Sequence, residues 1–459
     1  MSGSNGTLKK AMRPIDVWGL ALGAIIGWGC FVLPGNAFLP KAGPLGTAIG
    51  MLIGAALILI IAFSYGFLIR KYPVSGGEFI YTKETIGKRN AFICGWGMIL
   101  AYWSLIPLNA TALALISRHL FPGIIQVGYM YQVEGWDVYA GEVVLASAFI
   151  IIMALINIRG IKQASWLQTT IALTLVGSIF VISFLVLSRA EWSNFNPGFP
   201  EGRGWYEAVF SIVAMAPWAF IGFDCIPQSA EEYNFNHKKS TAILVFAIVI
   251  AALLYIAINT VTAVGIKPWE ELLAMKNNWP TGYVVRHTLG LIGIIFLGIA
   301  MFCAVVSGMN AFYISTSRLM YAMAKEGSLP SLFGRLSPRY GTPVNAIWFV
   351  MAMSLFAPWF GREILSWIVD MTSVGAAVVF GYTSASAAII ASKKRDLLHV
   401  IIGILGVLCS LFFLCLLLIP GMPGFLSFES RVILIIWIAI GFLFYLSIRK
   451  TYIGKNGNR

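Results

Sequence analysis

Ala24-Ile25-Ile26-Gly27-Trp28-Gly29-Cys30-Phe31-Val32-Leu33-Pro34-Gly35 places a Gly-Trp-Gly triplet, then a Pro-Gly pair, inside an apolar run of membrane-crossing length. A helix is weakest at such a point, since glycine costs backbone entropy and proline removes a donor. Lipid supplies no water to complete the hydrogen bonds that a break frees, so a break persists only where protein, water or a ligand completes them. A second stretch of the same kind follows at Pro217-Trp218-Ala219-Phe220-Ile221-Gly222-Phe223-Asp224, with Pro227 just beyond. The two stretches lie about 192 residues apart and two long apolar runs begin about 193 apart, at 91 and 284, so two halves of the chain are in register. One break alone is also what a packing kink looks like; breaks at matching positions in both halves favour a built site.

The rest of the chain sets these breaks in a membrane. Of 459 residues, 59% are apolar and 11% charged, with a mean hydropathy of +0.82, which excludes an ordinary water-soluble fold. Twelve spans are expected, at 16–39, 44–69, 91–120, 141–157, 164–188, 207–228, 240–265, 284–321, 343–360, 363–391, 397–419 and 430–448. With both termini in the cytoplasm, 23 of the 32 basic residues fall inside and nine outside, the bias of the positive-inside rule. The formal charge of +13 is then mostly topological and points to membrane lipid, not nucleic acid. The opening Met1-Ser2-Gly3-Ser4-Asn5 has no apolar core before a cleavage site, so no signal peptide is expected. The six cysteines lie in or beside apolar runs without metal-ligand spacing and read as small buried hydrophobes, with neither metal nor cofactor expected.

Five-span halves place the second copy on the opposite side of the membrane, hence inverted. Broken helices near the midplane of such halves are where secondary transporters hold their substrates. Free amides near Cys30 and Phe31 suit a carboxylate, and free carbonyls before each break suit an ammonium group. No HExxH, Walker loop, catalytic carboxylate pair or selectivity-filter sequence supports an enzyme or a channel.

Several segments together resemble the amino acid, polyamine and organocation transporter superfamily, in its amino acid permease type. Gly27 to Gly35 is similar to the GSGIFVLPG of that family's first helix, and Tyr72-Pro73-Val74-Ser75-Gly76-Gly77-Glu78-Phe79-Ile80-Tyr81 resembles its YPxxGGxYxY loop. Gly95-Trp96 resembles the start of its third helix, Asn157-Ile158-Arg159-Gly160-Ile161-Lys162 its NxRGVK, and Phe220-Ile221-Gly222-Phe223-Asp224 with Ala230-Glu231-Glu232 its FxGFD…AEE. Ser317-Arg318 with Ala324-Lys325-Glu326-Gly327-Ser328-Leu329-Pro330 is similar to SR…ARDGxLP. The resemblance implies an all-α polytopic protein of twelve transmembrane helices in a 5+5 inverted-repeat, leucine-transporter-like fold. Broken helices 1 and 6 and two extra C-terminal helices complete it. The expected organisation is a cytoplasmic segment at 1–15, halves at 16–188 and 207–391, two helices at 397–448 and a cytoplasmic tail at 449–459.

The activity implied is alternating-access carriage of an amino acid or amine across the cell membrane, with H+ or Na+ as the coupling ion of a symporter. Ile26, Gly27, Trp28, Gly29 and Cys30 correspond to the unwound helix that holds a substrate carboxylate. Trp218, Ala219, Phe220, Ile221 and Gly222 correspond to the partner break, Phe312 to an aromatic over the substrate, and Tyr102 to a helix-three contact. Two departures stand out: Trp28 occupies a position that is small in the family, and Leu175 and Thr174 stand where some proton-coupled relatives carry a lysine. The missing lysine leaves exchange, sodium or a carboxylate proton site. Asp224 and Glu231 are the coupling or gating candidates, because a charge deep in a span is costly. Asp224 has an alternative role as an N-cap or a structural hydrogen bond of the inner half-helix, Asp16 is expected to cap the first span, and Glu231 and Glu232 are expected to pair with Lys238, Lys239 or basic loop residues. With no second anion near the breaks, a neutral amino acid is favoured; the alternative is an amine, polyamine or basic amino acid exchanger, encouraged by Trp218 and Trp28.

Overall fold

The computed structural model describes residues 10–121, 123–133, 136–275, 279–360 and 364–456. Pro14 opens α1 (Pro14–Ile25), where a missing N–H costs nothing. Asp16 lies at the third helical position, not at the N-cap: its carboxylate accepts the Arg13 amide at 2.9 Å and the Thr169 hydroxyl at 2.7 Å. The helix stops at Ile26 (φ −85°, ψ 83°) and restarts as α2 (Gly29–Leu33). A π-helical turn, Pro34–Phe38, carries the chain straight into α3 (Leu39–Lys71), bent where Gly43 takes φ +64°. The first two expected spans are therefore joined by a kink, without a loop.

A short helix, α4 (Gly77–Thr85), precedes α5 (Lys88–Leu120), and an antiparallel hairpin, β1 (Tyr129–Val133) and β2 (Trp136–Tyr139), follows. The all-helical expectation missed this hairpin, whose aromatic, alternating strands pair locally between two spans. Next come α6 (Ala140–Ile158), α7 (Ile161–Leu187), the interrupted series α8 (Trp205–Val213), α9 (Ala216–Ala219) and α10 (Cys225–Gln228), then α11 (Ser240–Val264) and α12 (Trp269–Ala274). The last five helices are α13 (Pro280–Lys325), kinked at Gly290, α14 (Val344–Ser354), α15 (Ile364–Lys393), α16 (Leu397–Leu418) and α17 (Phe428–Asn456). Nine stretches among the described residues are long and apolar enough to cross a bilayer, the architecture of a multi-pass membrane protein.

Burial orders these helices. The apolar window of α5 is 82% buried and that of Phe428–Leu446 only 11%, so α5 is central and α17 faces outward. Around α5 pack α13 and α15; α1 lies against α7, α11 and α13, and α3 against α8 and α11. Polar side chains fix part of this core. Gln168 on α7 donates to the Gly19 carbonyl (3.1 Å) and to Ser307 on α13 (2.6 Å), while Asn310 donates to Gln168 and Asn157 to Asn310, each at 2.9 Å. A buried amide costs little only when such partners satisfy it, so this chain of bonds pins α1, α6, α7 and α13 in one arrangement. Cys415, expected to be buried, is exposed on the outer side of α16.

Candidate functional site

The two interruptions touch. Gly222 sits at φ +125° between α9 and α10, where a Cβ would stand 2.6 Å from the Ala24 Cβ and 2.7 Å from the Ile25 nitrogen. Only glycine permits that approach. Gly29 makes a second close contact: a Cβ there would lie 2.6 Å from Cη2 of Trp218. Glycine therefore serves at these positions to let one break, and its tryptophan, rest on the other.

Between the breaks lies a cavity of about 20 Å³, lined from α1 and α2 by Ala24, Ile25, Gly27, Trp28 and Gly29, and from the other break by Trp218 and Ile221. Leu105, Leu108 and Asn109 of α5, Tyr255 of α11 and Phe312 of α13 close it. On a scale where about 10–15 Å³ admits one water, it has no room for an amino acid until Trp218 or Phe312 moves. Asn109 and Tyr255 are not in the sequence-stretch reading at all, although a tyrosine or asparagine inside an apolar span signals a hydroxyl or amide in need of a partner.

Backbone groups of the breaks divide into used and unused. Cys30 and Phe31, whose amides were expected to be free, bond back to Gly27 and Trp28 at 3.2 and 3.0 Å. The amides of Trp28 and Gly29, immediately before them, have no acceptor among the described residues. The Ile25 carbonyl is taken, by the Gly27 amide at 3.1 Å and by the Tyr255 hydroxyl at 3.2 Å. Across the cavity the carbonyls of Ala219, Phe220 and Ile221 accept nothing among the described residues.

Six of the expected site residues line this cavity: Gly27, Trp28, Gly29, Trp218, Ile221 and Phe312. The others stand behind it. Ile26 is buried at the end of α1, Cys30 Sγ lies 3.9 Å from the Leu254 carbonyl, and Tyr102 packs on the Phe312 ring at 5.9 Å between centroids. Ala219 is buried at the end of α9, and Phe220 sets its edge against Tyr255, 6.4 Å away. Gly222 supplies the contact between the breaks and no cavity wall. Helix periodicity explains the division, since consecutive residues cannot all face one side.

A sequence model described as amino acid permease matches residues 14–444. The chain belongs to the amino acid permease family. It is 26% identical over 450 residues to the branched-chain amino acid permease BcaP of Bacillus subtilis (strain 168), covering 96% of this chain and 93% of the relative. The methylthioribose transporter of the same organism is 25% identical, covering 96% and 93%, and its aspartate-proton symporter 26% identical, covering 85% of this chain and 75% of the relative.

In this permease the ends of α1 and α10 are tied together beyond the cavity. The amides of Ala11 and Met12 donate to the Glu232 carbonyl at 2.9 Å, and Met12 accepts from Asn234 at 2.9 Å. The Glu232 carboxylate pairs with Arg318 of α13 at 3.0 Å, both fully buried, so the expected partners Lys238 and Lys239 are not used. Burial raises the Glu232 carboxyl above its ordinary value, and the Arg318 charge opposes that shift. Glu231 instead accepts the Ser75 amide at 3.1 Å, from the loop before α4. Asp224 makes no side-chain cap of α10 but a structural hydrogen bond: its Oδ1 accepts the Gly222 amide at 2.8 Å, which ties the bend itself.

Proposed function

We propose that this permease carries neutral amino acids with apolar side chains across the cell membrane by alternating access, without covalent chemistry. The observation that carries the reading is that, among the described residues, no charged side chain lines the cavity between the breaks. Unpaired amides at Trp28 and Gly29 suit the substrate carboxylate, and unpaired carbonyls at Ala219 to Ile221 suit its ammonium group. Each group would otherwise stay desolvated and unbonded, so a zwitterion gains most where both sets lie across one cavity. Leu105, Leu108 and Phe312 give the side chain an apolar wall once the cavity opens. A relative named for branched-chain amino acids supports a neutral substrate.

The same reading takes the helices as twelve spans, with 16–188 and 207–391 as inverted halves, 397–448 as two added helices and both termini cytoplasmic. The breaks at corresponding places in the two halves and the sorting of 23 basic residues to one side support it. A relative named as a proton symporter supports H+ as the coupling ion over Na+.

Counterflow in proteoliposomes tests the substrate class. Preloaded leucine, isoleucine or valine should accelerate entry of labelled leucine, and Phe312→Ala should weaken it. If lysine or putrescine exchanges and the branched amino acids do not, the basic or amine exchanger is correct instead.

A further inference from the structure

Glu78 lies in α4, between the second and third apolar runs and outside the membrane-spanning segments, yet it is fully buried. The side-chain amide of Gln228 donates to its Oε2, and Oε1 has no partner. Gln228 stands four residues after Asp224, so the two project from one side of α10 and its N-terminal turn, and the Gln228 contact brings Glu78 beside Asp224. Asp224 Oδ2 is likewise buried with no close hydrogen bond among the described residues, and the buried hydroxyls of Tyr65 and Tyr102 stand beside the Glu78 and Asp224 carboxyls respectively. Tyr65 reaches this place by packing edge-on against Phe223 at 5.1 Å.

The ionisable groups that sense the Glu78 charge are Asp224, Tyr65, Tyr81, Cys94, Tyr102 and Cys225; none is a cation. Of the cations on neighbouring elements, Lys83 pairs with Glu84 and Glu326, Arg318 with Glu232, Lys325 stands over the Tyr321 ring, and Lys88, Arg89 and Lys393 are exposed. Glu231 is held by the Ser75 amide. Burial first, and then the Asp224 charge, push the Glu78 carboxyl well above its ordinary range. Two buried carboxyl groups near one another, with no cation beside them among the described residues, are costly as two anions, and a shared proton removes one of the charges.

We propose that Glu78 is a proton-binding site of this permease, sharing one proton with Asp224 while Gln228 latches α4 to α10, and releasing it when that contact opens. The inference rests on the transport reading above and adds the residue that carries the coupling proton. Uptake and release of the proton convert Glu78 between carboxylate and carboxylic acid, with no other bond made or broken.

Purified protein in pyranine-loaded liposomes tests it, with the amino acid giving the strongest counterflow as probe. Wild-type protein should accumulate that amino acid under an imposed inside-alkaline gradient, with proton entry. Glu78→Gln should lose the accumulation and flatten the pH profile of counterflow above the ordinary carboxylate range. In Gln228→Met, which removes a donor that favours the ionised form, the midpoint should move upward by about one pH unit, a tenfold change in proton affinity. That variant decides the matter if Glu78→Gln does not fold. Proton-driven accumulation intact in a folded Glu78→Gln, or an unmoved midpoint in Gln228→Met, overturns the site and leaves the transport reading standing. So does accumulation driven only by a sodium gradient, or strict exchange in the wild type. If no amino acid exchanges at all, the transport reading fails. The proton site is then judged on the pH dependence of melting in wild type and Glu78→Gln, equal slopes overturning it.

Discussion

Adding one methyl group at Gly222 tests whether the two breaks form a single site. In Gly222→Ala the new Cβ would meet the Ala24 Cβ at 2.6 Å, the Ile25 nitrogen at 2.7 Å and the Ala24 carbonyl carbon at 2.8 Å, all inside ordinary contact distance. Two of those atoms are backbone, so no side-chain rotation relieves the overlap, and α1 must move by the better part of an ångström. Overpacking of this kind costs about 1–3 kcal/mol. The residue also holds φ +125°, which an L side chain adopts at a further cost of roughly 1–3 kcal/mol. Together they amount to about 2–6 kcal/mol, a large share of the stability of an ordinary domain. Because Ala24 and Ile25 line the cavity, the displacement reaches the binding groups directly. Gly177→Ala is the control: it lies in α7 with nothing within 4 Å of the added Cβ, and alanine is the better helix former there. Melting of detergent-purified protein and leucine counterflow are the assays. Gly222→Ala should melt well below wild type and lose most counterflow, while Gly177→Ala matches or exceeds wild type. Equal melting and counterflow in both variants would refute the contact between the breaks.

Tyr255→Phe leaves the buried Ile25 carbonyl with only the Gly27 amide, and should lower stability by about 1–2 kcal/mol and slow counterflow, read by the same melts and uptake. Arg318→Ala strands the buried Glu232 charge and should cost about 3–5 kcal/mol, seen as loss of monodisperse protein on size-exclusion chromatography. Arg318→Met with Glu232→Leu should recover much of it, because the uncompensated charge is gone. Glu78 holds its proton in the folded state above its ordinary value of 4.5, so the folded state binds more protons than the unfolded one from that pH upward. Stability should therefore fall as pH rises from about 4.5 toward the raised value, and Glu78→Gln should show a shallower fall in a pH series of melts.

The sequence was most legible where one residue type dominates the local physics. Gly27, Gly29 and Gly222 within apolar runs announced that the helix must break, and the breaks lie at Ile26 to Trp28 and at Phe220 to Asp224. What each break leaves free is set by backbone dihedrals, not by composition. The amides of Cys30 and Phe31, expected to be open, close short turns for that reason. Consecutive residues around each break cannot all line the site, because only one side of a backbone faces a cavity. Glu78 was read as part of a polar loop, since nothing local says that α4 folds into the bundle against Gln228, 150 residues later.

Apolar length and glycine placement, which act within a few residues, determined that this chain crosses a membrane with interrupted helices. Tertiary structure alone decided that Tyr255 answers a carbonyl 230 positions away, that Arg318 holds Glu232 and not a lysine partner, and that Glu78 and Asp224 approach without a cation between them. Those pairings arise because desolvated polar groups bond to whatever the packing brings within reach, and reach is a property of the assembled helices.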